Sequence, residues 1–242
     1  MQGPQGTRSR VTWELVWAWY HVLPVGQRAI VDRLGFGLLF SVRPFRVDAV
    51  LVAAVREQWV EDCRAFVMPW GHMIPTLEDV VHLTRLPVQG APLVGRELGD
   101  YRREVQELLG ADVVRTKRTI RAIPLGRFPA LVGLGGQRRG ALGSLDELLQ
   151  SVRAAARFGQ RSEEQEVRLF LVFFFGRLLF ATTADKVSCK YLQFIRHLDR
   201  AGGYAWGAAM LGHLLAHLPA FSRQSFSVGG FTPFLQVQTQ FL

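Results

Sequence analysis

The chain has 242 residues, 49% of them hydrophobic and 20% charged, with a formal net charge of +9. This composition excludes a disordered tail and suffices for one large domain or two small ones. Two cysteines, Cys63 and Cys189, exclude a disulfide scaffold, and the most apolar run, residues 169–181, is too short to span a membrane and is interrupted by Arg177.

The basic balance raises the question of nucleic acid. Only three of the 29 basic side chains are Lys, and Asn is absent. A GC-rich coding sequence gives that bias without selection for phosphate binding, so the charge is real but its arginine flavour is partly mutational. No signal peptide opens the sequence, so a reducing compartment is the expectation.

Residues 1–10 are polar and read as a disordered lead-in, leaving 11–242 as one domain. Residues 12–23 predict an aromatic amphipathic helix with Trp13, Trp17 and Tyr20 on one face. Residues 35–47 read as a loop with a short strand near 36–40. Asp48 caps a helix running to about Trp59. Residues 65–68 read as a strand, followed by a turn at Pro69-Trp70-Gly71-His72. Thr76 caps the next helix, with Asp79 three residues on approximating a capping box. Leu77, Val80 and Val81 form its apolar face, extended by the Thr84 methyl, and Pro87 stops it after Leu86.

Residues 98–109 predict a charged helix closed by Gly110. A strand signal falls near 120–123. Residues 126–143 hold six Gly and read as a mobile loop within a flexible basic stretch of about 113–143. Ser144 with Glu147, and Ser162 with Gln165, read as capping boxes opening helices to about Arg157 and Phe180. A helix is expected over about 188–199, then Gly202-Gly203. Another follows over 204–218, ended by Pro219, and a last segment begins at Phe231. The fold class predicted is mainly α: a single compact multi-helix domain with a small β element near the signature turn.

Several constellations invite chemistry. His213 and His217 lie four apart and can reach one metal, but lack a third ligand in sequence; a helix C-terminus explains them as well. His72, Glu78, Asp79 and His82 cluster around the turn; a solvated Glu78–His82 pair and a capping Asp79 are the simpler reading. Gly133-Leu134-Gly135-Gly136 lacks the Lys-Ser/Thr ending of a phosphate loop. No cofactor or metal is expected. Arg115, Lys117, Arg118, Arg121, Arg127, Arg138 and Arg139 form the sharpest charge asymmetry, with no acidic residue from 113 to 145. This stretch is the candidate for a salt-sensitive nucleic-acid-binding module, with DNA or RNA as partner.

The most informative block is residues 66–90, with Pro69, Gly71, Pro75, Thr76, Leu77, Asp79, Leu86 and Pro87 at its fixed points. Its pattern, aromatic-x-x-Pro-x-Gly-x-Met-x-Pro-Thr-Leu-Glu-Asp-Val ending in Leu-Pro-Val-x-Gly, resembles the signature of the plant mobile domain. That family, also described as aminotransferase-like, includes the Maintenance of Meristems-like proteins and long-form type-7 serine/threonine phosphatase homologues. A helix ending at Trp59, the apolar run 169–180, and Gly203-Tyr204-Ala205-Trp206-Gly207-Ala208-Ala209 fit it too. The resemblance covers residues 34–242.

It implies a non-enzymatic nuclear interaction domain linked to transposable-element silencing, gene expression and meristem maintenance, or a transposon-derived copy. It also implies a type-7-like phosphatase or another mobile-domain protein as partner; no membrane is expected, from the lack of a spanning segment. Aminotransferase chemistry needs a Lys Schiff base and a phosphate cup; Lys117, Lys186 and Lys190 lie in no such context. Two departures stand out. His72 follows the signature Gly, and Gln238 and Gln240 stand where family members usually carry Trp.

Overall fold

The computed structural model describes residues 13–113, 118–135, 144–182, 184–218 and 231–240. The lead-in 1–10, Arg115, Lys117, Arg138, Arg139, Gly136 and Pro219 lie outside the described residues.

The sequence order is as follows. Helix α1 (Trp13–Val22) is followed by α2 (Val25–Arg33), a 3₁₀ turn (Gly37–Ser41) and α3 (Ala49–Glu57). Strands β1 (Trp59–Val60), β2 (Ala65–Met68) and β3 (Gly71–Met73) form a three-stranded antiparallel sheet, the small β element expected at the signature turn. Then come α4 (Leu77–Thr84), α5 (Arg102–Leu109), β4 (Ala122–Pro124), α6 (Arg127–Leu131), α7 (Leu145–Ala155) and α8 (Glu163–Phe174). A π turn (Phe175–Leu179) prolongs α8. Strand β5 (Lys186–Ser188), a 3₁₀ helix (Cys189–Phe194), α9 (Leu198–Ala201), α10 (Trp206–His217) and α11 (Thr232–Gln240) complete it. The architecture is mainly α.

Helix α8 is the axis of the core. Residues Val167 and Leu169 through Phe175 are each at most 1% exposed, so it is buried on every side. α1, α2, α5 and α6 pack around it. α1 is more buried than one amphipathic face predicts: Trp19 is 0% exposed, alongside Trp13, Trp17 and Tyr20. Trp19 packs against Phe170 and Phe173, while Tyr20 stacks on Phe40 at 4.4 Å.

The π turn has a steric reason. A Cβ on Gly176 would lie 2.5 Å from Leu125 and 2.7 Å from Val187, so the backbone there touches the β4–β5 sheet. One extra residue in the turn presents the bare glycine to that sheet, and Phe180 N–H donates to the Phe175 carbonyl at 2.7 Å.

The structure corrects several expectations. The strand expected near 36–40 is instead the 3₁₀ turn Gly37–Ser41. The helix after Asp48 ends at Glu57, and Trp59 lies in β1. Residues 188–199 are not one helix but β5's end, a 3₁₀ helix and the short α9. The loop expected over 126–143 holds α6 as far as the structure describes it, with Phe128 fully buried against the core.

Candidate functional site

Two distant stretches of sequence meet at the signature. The Gly207 N–H donates to the Pro87 carbonyl at 2.7 Å, the Ala91 N–H to Gly203 at 2.8 Å, and Ala205 N–H to Ala91 at 3.0 Å. Gly207 permits the approach: a Cβ there would lie 2.9 Å from Val80, 3.0 Å from Val88 and 3.1 Å from Leu86. Trp206 is fully buried, stacks on Phe175 at 4.7 Å and donates its indole N–H to the Ala201 carbonyl. Tyr204 packs edge-on against Phe194. These residues are scaffold, each held by the core.

The capping box is complete. The Asp79 N–H donates to the Thr76 hydroxyl oxygen, and Thr76 N–H donates to the Asp79 carboxylate at 2.8 Å. Arg85 closes α4 in the left-handed region at φ 59°. Pro75 is buried beneath the box. Of the expected apolar face, Val80 and Thr84 are buried as read, while Leu77 is 44% exposed. Thr84 turns its hydroxyl back to the Val80 carbonyl at 2.7 Å, which hides its polarity.

Above this base stands the β2–β3 hairpin. Its register pairs Phe66 with Met73, Val67 with His72 and Met68 with Gly71. Phe66 and Met73 face the core, so the alternation of side chains sends Val67 and His72 outward. The tip is Pro69-Trp70, and Trp70 is 69% exposed. Ile74 is 54% exposed just beyond β3, and Val60 and Val67 are also exposed. A short hairpin with an exposed indole at its tip was not read from the sequence. Pro-Trp-Gly signals a turn, and only the strand register shows which apolar residues around it face water.

Around the signature turn, Glu78, Asp79 and His82 share the first two turns of α4. His72 is exposed on β3. His82 directs Nδ1 to the Glu78 carbonyl at 3.4 Å, and Asp79 is spent on the cap. His217 directs Nδ1 to the His213 carbonyl at 2.7 Å, and the two rings lie 4.1 Å apart. Among the described residues no group of three or more His, Cys, Asp or Glu gathers as metal ligands. Burial, then the nearby His217, holds His213 down at about 4, so it is neutral at pH 7.

The described part of the basic stretch is exposed but structurally engaged. Arg121 Nε donates to the Gly99 carbonyl at 3.2 Å and Arg127 Nη1 to Val113 at 2.9 Å. The Arg118 carbonyl accepts from Arg102. An acidic partner missing from the stretch arrives from elsewhere: Asp100 accepts from the Ile120 N–H at 2.9 Å and lies near Arg102. The Ile120 hydrogen bond, followed by those from Arg102, keeps its carboxyl below the usual carboxylate range.

A mainly helical core with a capped signature hairpin, its Leu-Pro-Val exit bonded to a Gly-Tyr-Ala-Trp-Gly helix start, defines a mobile-domain architecture. The plant mobile domain family matches residues 35–241, and the chain belongs to that family. It is 31% identical to protein MAIN-LIKE 1 of Arabidopsis thaliana over 82% of this chain and 36% of that protein. It is 29% identical to protein MAINTENANCE OF MERISTEMS of the same plant, over 89% of this chain and 42% of that one. Protein MAIN-LIKE 2 is 29% identical over 83% of this chain and 27% of its own length. The chain thus spans less than half the length of each of these relatives. No solved structure matches it.

Proposed function

We propose that this chain is a non-enzymatic protein-interaction domain and that the signature hairpin is its docking element. The observation that supports this reading is Trp70, 69% exposed at the tip of a hairpin that leads directly into the capped start of α4. Ile74 and Val67 widen the apolar surface beside it. Exposed aromatic anchors on a rigid base are the usual carriers of binding energy between proteins. The proposed setting is nuclear, in transposable-element silencing, gene expression and meristem maintenance, a reading that the signature resemblance supports and that holds equally for a transposon-derived copy. The partner is a type-7-like protein phosphatase or another mobile-domain protein.

The test is affinity capture from plant nuclear extract with the wild-type chain and a Trp70→Ser/Ile74→Ser variant. Both positions are exposed, so melting should stay within about 0.5 kcal/mol of wild type. The expected result is capture of a phosphatase or mobile-domain protein by the wild type and its loss in the variant. Equal capture by both proteins overturns the assignment of the hairpin.

A further inference from the structure

Away from the hairpin, a cleft of about 670 Å³ opens between residues 90–97, the 3₁₀ helix Cys189–Phe194 and α10. That volume is in the range that holds small organic molecules. One wall is the segment 90–95, pinned at Ala91 to Gly203 and Ala205, and at Arg96 by the Gln193 side chain, which both accepts from its N–H at 3.1 Å and donates to its carbonyl at 2.7 Å. The opposite wall is Ala205, at the start of α10, with Ala208 and Ala209 on the helix itself. The floor is aromatic. Phe180 and Tyr191 stack at 4.4 Å with planes 8° apart, and Phe194 lines the cleft beside them.

Charge enters at the rim. Lys190 is half-buried, with its ammonium 5.6 Å from the Tyr191 ring centre. Among the described residues it has no carboxylate within ion-pair distance. His213 also lines the cleft, edge-on to Phe180 at 5.5 Å, and is neutral at pH 7, so among the described residues of the lining Lys190 alone carries a positive charge. Glu97 lies on the lip, exposed. A half-buried, unpaired cation above stacked rings favours a ligand with a flat apolar body and one anionic group. Glu97 disfavours a second negative charge. The segment 90–95 offers no strand ladder to a peptide, since Ala91 and Val94 already bond their neighbours.

We propose that this cleft is a binding site for a small aromatic monocarboxylate, its ring system packed against Phe180, Tyr191 and Phe194 and its carboxylate paired with Lys190. The matched probes are 1-naphthaleneacetate and its neutral amide, titrated calorimetrically into the full chain. Saturable binding of the acid, weaker binding of the amide, and a loss of about tenfold for the acid alone in Lys190→Gln are expected, the magnitude of one charge-assisted contact. Lys186→Gln, at an exposed position of β5, should leave binding unchanged, and Glu97→Gln should tighten it. Ala208→Leu should remove both probes by filling the cleft, with thermal melting checking that each variant folds. Equal affinities for acid and amide, an undiminished Lys190→Gln, or no saturable binding of the acid overturns the proposal.

Discussion

Gln238 on the last helix donates its side-chain amide to the Asp79 carboxylate at 3.2 Å, 159 residues earlier in the chain. Two residues before it, Gln236 accepts the Asp48 N–H at 2.7 Å. α11 therefore reaches the N-terminal ends of both α3 and α4. Gln238 is one of the two positions where the sequence resemblance leads to an expectation of Trp. Here an amide takes that place and bonds to the capping residue of the signature helix.

This arrangement ranks three substitutions. Thr76→Ala removes the hydroxyl that caps α4 and should cost about 1 kcal/mol. Gln238→Ala removes one hydrogen bond to a charged group and should cost a similar amount, about 1–2 kcal/mol. Asp79→Ala removes the acceptor of both Thr76 and Gln238, so it should cost more than either. Because the three share one carboxylate, the Asp79→Ala/Gln238→Ala double variant should be less destabilised than the sum. Strict additivity in urea unfolding would show that α11 is not coupled to the cap.

Local signals of this kind were legible in the sequence. Thr76 with Asp79 and Ser144 with Glu147 form the full reciprocal boxes. Ser162 caps α8 through the Gln165 N–H, while Gln165 itself reaches the Glu107 carbonyl, so that box is only half made. What failed to show was set by distant partners. α2 has no apolar stripe to read, because its buried face includes Gln27, whose amide nitrogen donates to buried Glu166 at 2.5 Å across 139 residues. The helix expected over 188–199 is interrupted where Arg168 draws off the carbonyls of Ile195 and Arg196. The signature's fixed points were visible; the outward face of its hairpin and the cleft beside α10 depend on strand register and on a contact between stretches over a hundred residues apart.

Gly207 and Gly212, on the same helix, should respond with opposite signs. Alanine is the better helix former by about 1 kcal/mol. At Gly212 a Cβ meets nothing within 4 Å, so Gly212→Ala should stabilise. At Gly207 the Cβ would press on Val80, Leu86 and Val88, and overpacking of this kind costs about 1–3 kcal/mol. Packing should win, making Gly207→Ala destabilising. A raised melting temperature for Gly207→Ala would mean that α10 does not lie this close to α4.

Phe173 and Phe174 are both 0% exposed in the central helix. Replacing either with Ala should cost about 3–5 kcal/mol, the usual penalty for a ring-sized core cavity. One hydrophobic cluster runs from Trp13 to Leu235, so unfolding should remain a single transition reported alike by tryptophan fluorescence and helical circular dichroism. Two separated transitions would contradict a single core.

His213 makes stability depend on pH. Its folded pKa of about 4 lies below the ordinary 6.5 of the imidazole, through burial and the proximity of His217 and Lys190. Between those values the unfolded chain binds more protons than the folded one, so stability falls as pH drops from 6.5 toward 4 and is unaffected by this group above that window. His213→Gln should lose less stability than wild type on going from pH 7 to pH 5. Identical urea midpoint shifts for the two proteins would remove His213 as a source of the slope.

The basic stretch calls for a different set of variants from the one its sequence suggests. Arg121 holds the Gly99 carbonyl and Arg127 the Val113 carbonyl, so reversing either disturbs the fold as well as the charge. Substituting Arg115, which lies outside the described residues, and exposed Arg118 removes charge from the stretch while leaving those two contacts in place. Any affinity for duplex DNA should be independent of sequence and fall steeply with salt, because counterion release supplies nearly all of such binding. With Asp100 seated beside Arg102 and the Ile120 amide, the local field is mixed, and the affinity at 150 mM salt should be weak. Arg115→Gln/Arg118→Gln should reduce the slope of log affinity against log salt by about 2 if both arginines touch phosphate. Tight binding that survives moderate salt, or that depends on base sequence, would establish a nucleic-acid-reading module in place of the protein-docking one.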